Sequence, residues 1–121
     1  MRLITLNGIK LFVYLNGMIL RYSDKAIGNH LKKGWSEAKG TINYYGYLVI
    51  RINGKHFLKH RIVGYSFLGL NIDNPKQQID HIDRNRQNNN MNNLRIVSHQ
   101  ENQFNKNAKD IIKTVKNFKH L

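Results

Sequence analysis

The chain contains no cysteine, and Pro75 is its only proline among 121 residues. Without cysteine there can be no disulfide and no thiolate zinc site, and the absence suits a reducing compartment. Acidic residues are also scarce: 7 Asp and Glu stand against 20 Lys and Arg, which gives a formal net charge of +13. So large an excess goes far beyond what solubility requires and favours a polyanionic partner such as nucleic acid.

Long apolar runs are missing as well. The chain has no run of about 18 apolar residues, the minimum for a membrane-spanning helix, and Asn7-Gly8, Lys10 and Asn16-Gly17 interrupt its apolar beginning. We therefore expect no membrane partner and no signal peptide. The predicted location is cytoplasmic, in a bacterium or a virus-infected cell, and the protein is not expected to be secreted. A chain of this length has room for one small core, with or without an appended arm.

Two Asn-Gly dipeptides, each lying between β-prone apolar runs, predict two hairpins. These are Asn16-Gly17 and Asn53-Gly54, and such dipeptides supply the positive φ angles of a tight turn. The intervening segment, residues 24–40, carries glycines and charges without a sustained period, so it is predicted as a loop or one short helical turn. The predicted strands cover residues 10–15, 18–22, 47–52 and 55–58.

The second half of the chain mixes helix and strand signals. Apolar residues at three-to-four-residue spacing predict a short helix over residues 60–70, although Gly64 weakens it by about 1 kcal/mol relative to alanine. Strands are expected at residues 78–82 and 94–97. Between them lies a segment in which six of the nine residues from Asn85 onward are asparagine.

The sequence after the last strand predicts helix. Ser98 and Glu101 form a capping box, which predicts a helix that begins near His99 and carries Asn102 on its first turn. Residues 106–121 place apolar side chains on one side and lysines elsewhere, the pattern of a basic amphipathic helix. The predicted order is therefore strand, long loop, strand and capped helix.

Three residues of this unit suggest a chemistry. The Asp80 carboxylate and the Asn102 amide oxygen are hard ligands, suited to a Mg²⁺ or Mn²⁺ ion that keeps waters and shares a substrate phosphate. His81 can act as a base, because its ordinary pKa of about 6.5 permits proton transfer near neutral pH. One difficulty is geometric: neighbouring residues of a strand point to opposite faces. The backbone must therefore twist there, or the two side chains must approach a phosphate from different sides.

The residues HRIVGYSFLGL, followed by QIDHIDRNRQNNNMNNLRIVSHQENQFNK, resemble the HNH nucleases, and in particular the homing endonucleases of phages and introns. The resemblance covers residues 57–106 and implies a ββα-metal fold. It implies His81 as general base, Asp80 and Asn102 as metal ligands, and Asn93 as the residue that braces the loop and orients the base. Many relatives have histidine at the position of Asn102, so asparagine there favours one Mg²⁺ or Mn²⁺ ion. The cysteine pairs that bind structural zinc in some relatives are absent.

Several nearby residues have simpler interpretations. Asn88, Asn89, Asn90 and Asn92 are interpreted as turn formers, and Asp83 as the residue that closes a turn. His60 matches a family histidine, and it either contacts a phosphate or supports the site from beneath. Basic residues around the motif are candidate DNA contacts through phosphate neutralisation. These are Lys55, Lys59, Arg61, Arg84, Arg86 and Arg95.

The sequence thus predicts an α+β protein with a β-rich region (1–55), an HNH unit (56–106) and a basic helix or tail (107–121). The predicted function is metal-dependent hydrolysis of DNA phosphodiester bonds, in one strand or both. The alternatives are a basic DNA-binding module that keeps the scaffold without catalysis, and an RNA-binding protein. Double-strand cleavage by so small a chain would need two copies or two successive events, which leaves a homodimer open.

Overall fold

The computed structural model describes residues 1–25 and 33–98, and the α+β class is confirmed within them. One α-helix, α1 (Lys59–Phe67), packs among antiparallel strands, and a short 3₁₀ helix spans Met91–Asn93. The predicted helices after Ser98 lie outside the described residues. The strands, in chain order, are β1 (Arg2–Leu6), β2 (Ile9–Val13), β3 (Ile19–Ser23), β4 (Gly34–Glu37), β5 (Thr41–Ile42), β6 (Leu48–Ile52), β7 (Lys55–Leu58), β8 (Gln77–His81) and β9 (Leu94–Ser98).

The first sheet pairs β1, β2, β3 and β4 in that order. The apolar beginning of the chain was expected to form strands, but the predicted ranges include neither β1 nor β4. Asn7-Gly8 forms the tight turn between β1 and β2, with φ of 48° and 82°, so the signal that marks the other hairpins was present here too. The expectation of loop or helix for residues 24–40 is wrong for β4. β4 pairs with β3, and its Trp35 packs against Phe12 with ring centroids 4.4 Å apart, a contact that local sequence does not disclose.

The turn between β2 and β3 corrects a second prediction. The hairpin exists, but only Gly17 takes a positive φ, of 93°. Asn16 instead accepts a hydrogen bond from the backbone N–H of Met18 through its side chain, at 3.0 Å, and Tyr14 and Met18 close a longer loop. A β-carbon at Gly17 would lie 2.6 Å from the backbone oxygen of Asn89. The loop is therefore shaped by its contact with the asparagine-rich segment.

The second sheet pairs β5, β6 and β7, and its turn follows the prediction. Asn53 and Gly54 have φ of 49° and 82°, as a tight hairpin turn requires. The side-chain amide of Asn7 donates to the backbone oxygen of Ile52 at 2.9 Å, and that of Asn53 donates to the backbone oxygen of Asn7 at 3.2 Å. Two Asn-Gly turns from different sheets thus hold each other in place.

Helix α1 lies against the third sheet, in which β8 and β9 pair. It ends earlier than predicted, because Gly69 with φ of 76° turns the chain away and the N–H of Leu70 bonds back to the backbone oxygen of Gly64. Gly64 also has a packing role, since a β-carbon there would lie 2.7 Å from Ile79 of β8. The glycine that weakened the helix prediction permits this close approach.

One hydrophobic cluster joins the three sheets and the helix. Leu11 and Ile19 from the first sheet share it with Ile52, Ile62 and Ile79. β8 therefore begins at partly exposed residues and ends against the core, where Asp80 and His81 are buried. The domain boundaries at residues 55 and 106 stay a prediction. Among the residues that the structure describes, no helix is long and apolar enough to cross a membrane.

Candidate active site

Asp80 and His81 end β8 side by side, and both are buried. The register pairs Asp80 with Arg95 and His81 with Leu94 on β9. The two side chains have separate sets of partners, as expected for adjacent residues of a regular strand. The strand thus delivers a carboxylate and an imidazole to neighbouring but different surroundings.

The carboxylate cluster consists of Asp80, Arg84 and Arg95. Arg95 donates to Oδ2 of Asp80 from Nε at 3.0 Å and from Nη2 at 2.8 Å, and Arg84 donates from Nη1 to Oδ1 at 3.2 Å. Arg84 sits in the turn after β8 with φ of 67°, an unfavourable conformation for an L-residue. That turn brings its guanidinium back over Asp80. Both arginine side chains are about half exposed, whereas the Asp80 side chain is 9% exposed.

The histidine cluster consists of Tyr47, His60, His81 and Asn89. Nε2 of His81 lies 2.9 Å from Oδ1 of Asn89, and the ring contacts His60 and Tyr47 at centroid distances of 4.8 and 5.9 Å. An amide oxygen can only accept a hydrogen bond, so Nε2 carries the proton in this pair. In the neutral ring Nδ1 then has the free lone pair, and it is the atom able to take a proton.

His60 supports this cluster from within the protein. It is 5% exposed, and its ring also contacts Tyr47 at 5.1 Å. Burial lowers the pKa of His60 to about 3, and the charges of His81 and Arg61 act in the same direction. His60 is therefore neutral at physiological pH. Of the two predicted roles for this residue, its burial favours structural support.

The asparagine-rich loop is built from repeated side-chain turns. Asp83, Asn85, Asn88 and Asn90 each accept a hydrogen bond from the backbone N–H two residues on, the pattern of Asx turns. The interpretation of this segment as turn chemistry is confirmed for Asn88 and Asn90. Such turns hold a loop in one conformation without regular secondary structure.

Asn93 braces the loop across its two ends. Its Oδ1 accepts from the N–H of Asp83 at 2.9 Å, and its Nδ2 donates to Oδ1 of Asp83 at 2.8 Å and to the backbone oxygen of Asn88 at 2.9 Å. Hydrogen bonds from Asn88, Asn85 and Asn93 lower the pKa of Asp83. The asparagine that hydrogen-bonds to the His81 ring, however, is Asn89, where the sequence predicted Asn93.

Asn89 is the main residue that the sequence interpretation missed, together with Gly17. It is 4% exposed, although it was interpreted as one turn former among several. Its backbone lies against Gly17, and the N–H of Met91 donates to the backbone oxygen of Leu15 at 2.8 Å. The contact between the β2–β3 loop and this segment selects Asn89 from the six asparagines. No local pattern separates it from its neighbours.

Four of the six basic residues predicted to bind DNA donate hydrogen bonds within the protein. Arg84 and Arg95 bind Asp80, and Arg61 donates to the backbone oxygens of Gln77, Ile72 and Asn74, which gives it a structural role in the turn before β8. Burial lowers the pKa of Lys59. Arg86 donates to the backbone oxygen of Tyr45. Lys55 is exposed, with its ammonium 5.2 Å from the Phe57 ring centroid.

A divalent cation fits the donors at Asp80. The carboxylate offers about four lone-pair sites, and the arginines use three of them, so Oδ1 keeps one site for a cation. The other predicted ligand, Asn102, lies outside the described residues. Within residues 1–25 and 33–98 no group of three or more His, Cys, Asp or Glu side chains is arranged around a common point. Among the described residues, Asp80 therefore supplies one oxygen donor site for a cation.

Comparisons with known proteins agree with this arrangement. The model of the HNH endonuclease family matches residues 57–104, from the middle of β7 through the two strands of the site. This chain is also similar to a solved structure of the HNH homing endonuclease I-HmuI, from a study of DNA binding and cleavage by that protein. The similarity covers 93% of this chain and 67% of that one, with 25% sequence identity and a TM-score of 0.56. A search of curated proteins found no match.

Proposed function

We propose that this chain, whose residues 57–104 match the HNH endonuclease family, is a divalent-metal-dependent DNA endonuclease in which His81 is the general base. The observation that supports the proposal most strongly is the hydrogen bond between Nε2 of His81 and Oδ1 of Asn89. It fixes the ring and leaves Nδ1 free to accept a proton. A histidine held in this way, next to a carboxylate at the end of the same strand, suits the hydrolysis of a phosphodiester.

In the proposed mechanism, His81 accepts a proton at Nδ1 from the attacking water. The oxygen of that water forms a bond to phosphorus, and the bond from phosphorus to the leaving sugar oxygen breaks. Asp80 and Asn102 are the residues that would hold the cation. When bound there, Mg²⁺ or Mn²⁺ would supply positive charge to stabilise the charge that develops on the leaving oxygen.

Other residues of the site position these groups. Asn89 orients the His81 ring, His60 packs against it as a neutral partner, and Asn93 holds the two ends of the loop together. The arginines of the carboxylate cluster are half exposed, so they are placed to exchange part of their contact with Asp80 for a phosphate. The net charge of +13 favours DNA through the release of counterions. A cytoplasmic location and a homodimer belong to the same proposal.

One observation favours a second candidate function. Asp80 accepts three hydrogen bonds from Arg84 and Arg95, which would also stabilise the site in a protein that binds DNA without cutting it. In that case the arginines would remain on the carboxylate and no cation would be required. The two candidates differ in their response to a chelator.

Incubation of the purified chain with supercoiled plasmid, with Mg²⁺, Mn²⁺ or EDTA, separates them. The endonuclease converts the plasmid to nicked or linear product only when the metal is present. Retarded plasmid without product at any metal concentration identifies the non-catalytic binder. If the chain binds RNA in preference to DNA in a competition experiment, and EDTA does not change this binding, both candidate functions are contradicted and an RNA-binding protein is favoured.

A further inference from the structure

Two tyrosines project from the turn between β5 and β6 in a way that core packing does not explain. Tyr44 is 95% exposed and Tyr45 is 66% exposed, and their rings meet edge to face with centroids 5.3 Å apart. Single exposed apolar residues are common on protein surfaces. Two adjacent exposed aromatic rings at the tip of one turn form a larger aromatic surface than a single exposed residue does.

The backbone that carries these rings is fixed by hydrogen bonds. Oδ1 of Asn43 accepts from the N–H of Tyr45 and from that of Tyr47, both at 3.0 Å, and the N–H of Asn43 donates to the backbone oxygen of Tyr47 at 2.8 Å. Gly46 completes the turn with φ of 84°. The rings are therefore presented on a preorganised support, which lowers the entropic cost of binding.

The turn is also attached to the candidate active site. Nη1 of Arg86, from the asparagine-rich loop, donates to the backbone oxygen of Tyr45, and its guanidinium lies 4.8 Å from the Tyr47 ring centroid. The Tyr47 ring is itself 5.9 Å from that of His81. Because Tyr45 is two residues before Tyr47, their Cα atoms are at most about 8 Å apart. The tip thus lies within a few base pairs of any phosphate that reaches His81, since base pairs are spaced by about 3.4 Å.

From this geometry we infer that Tyr44 and Tyr45 contact nucleobases of the DNA next to the phosphate that is cut. The inference rests on the proposed function. Tyrosine rings stack on bases or wedge between base steps irrespective of sequence, whereas phosphates are bound by charge. The strongly positive chain supplies that charge, and its sign argues against a cationic protein as the partner of this tip. Arg86 then acts as the link that couples base contact to the catalytic loop.

Photochemical crosslinking tests the contact directly. The full chain in EDTA is bound to a mixed-sequence duplex in which 5-iododeoxyuridine replaces thymidine, and near-ultraviolet light joins the halogenated base to an aromatic ring that touches it. We expect the crosslink in the tryptic peptide from Gly40 to Arg51, assigned by fragmentation to Tyr44 or Tyr45. Crosslinks confined to other peptides of a chain that binds the duplex would overturn the inference.

Substitution provides a second test. The double variant Tyr44→Ala/Tyr45→Ala should bind the duplex roughly tenfold more weakly, the effect of losing a base–aromatic contact. The dependence of affinity on salt should keep its slope, because no phosphate contact is removed. Tyr44→Phe/Tyr45→Phe keeps the rings and should bind as the wild type does. Unchanged affinity in the alanine variant overturns the inference.

Tyr65→Ala is the matched control. Tyr65 is 40% exposed on α1, about 140° around the helix axis from His60, which lies five residues before it. Its substitution should leave DNA affinity unchanged. Failure of the wild-type chain to cut plasmid while it still crosslinks through Tyr44 or Tyr45 would contradict the proposed catalysis and leave the base contact supported. Failure to bind DNA at all would contradict both.

Discussion

The histidine cluster and the carboxylate cluster begin at adjacent residues of β8, yet they are built from different chemistry. Around His81 the partners are a buried amide, a partly buried tyrosine and a second, buried histidine whose pKa is lowered to about 3. Around Asp80 the partners are two half-exposed guanidinium groups. Because neighbouring residues of a strand point to opposite faces, β8 keeps the imidazole of His81 apart from the carboxylate of Asp80 and its arginines.

The largest expected effect comes from neutralising the carboxylate cluster. Asp80→Asn keeps the shape of the side chain but removes the negative charge that both arginines bind. We expect plasmid cleavage to fall by at least about 10²-fold, comparable to the loss of a catalytic group. Stability in urea should decrease by about 1–2 kcal/mol, because the arginines are half exposed and water replaces part of what they lose. Unchanged cleavage would remove Asp80 from the mechanism.

A smaller effect is expected when the histidine cluster loses its orienting amide. Asn89→Ala leaves the His81 ring free to rotate, and a catalytic group misplaced by about 1 Å costs roughly 10²-fold in rate. DNA affinity measured by gel retardation should stay within about twofold. Asn92→Ala, at an exposed asparagine of the same loop, is the control and should cleave normally. Equal losses in the two variants would show that the loop, rather than the contact with His81, matters.

The support of Asn89 by the first sheet can be tested separately. Gly17→Ala forces an alanine to a φ of 93° and places its β-carbon 2.6 Å from the Asn89 backbone oxygen. We expect cleavage to fall by about tenfold as Asn89 shifts, with stability lowered by at least about 1–2 kcal/mol. Gly54→Ala has a similar φ of 82° but meets nothing within 4 Å. The Gly54→Ala variant should be less stable but should cleave plasmid normally. A loss of cleavage in this variant would contradict the link between the β2–β3 loop and the site.

The smallest effect at neutral pH concerns His60. Its pKa in the folded protein, about 3, lies below the unfolded value of about 6.5, so the unfolded chain binds more protons between these two values. Stability should therefore fall as the pH decreases through this window, by about 2 kcal/mol at pH 5. His60→Gln should lose this part of the pH dependence in urea unfolding measured at pH 7 and pH 5. An identical pH dependence in both proteins would mean that His60 is not buried as a neutral ring.

The sequence predicted those elements whose signals are local. Asn53-Gly54 gave the turn between β6 and β7, and apolar spacing gave α1, β8 and β9. What it missed depends on contacts between distant residues. In β4, Trp35 packs against Phe12, and Gly17 lies against the backbone of Asn89.

The same distinction holds at the site. Asp80, His81 and Asn93 could be found because a family pattern marks them at fixed spacings. Asn89 could not, since its burial depends on a loop more than seventy residues earlier in the chain. The arginines on Asp80 were interpreted as DNA contacts because charge alone does not show that Arg95 faces the carboxylate from the paired strand and that Arg84 reaches it from the following turn. The approach of Asn102 to Asp80 stays a prediction.

The most direct test of the central claim compares cleavage and binding in the His81→Ala variant. If His81 is the general base, plasmid cleavage with Mg²⁺ should fall by about 10²-fold or more, while affinity for the same DNA by gel retardation changes by less than about twofold. His56→Ala, at an exposed histidine of β7, should behave as the wild type. Loss of cleavage and binding to the same extent in His81→Ala would show that the residue is structural and would contradict the proposed mechanism.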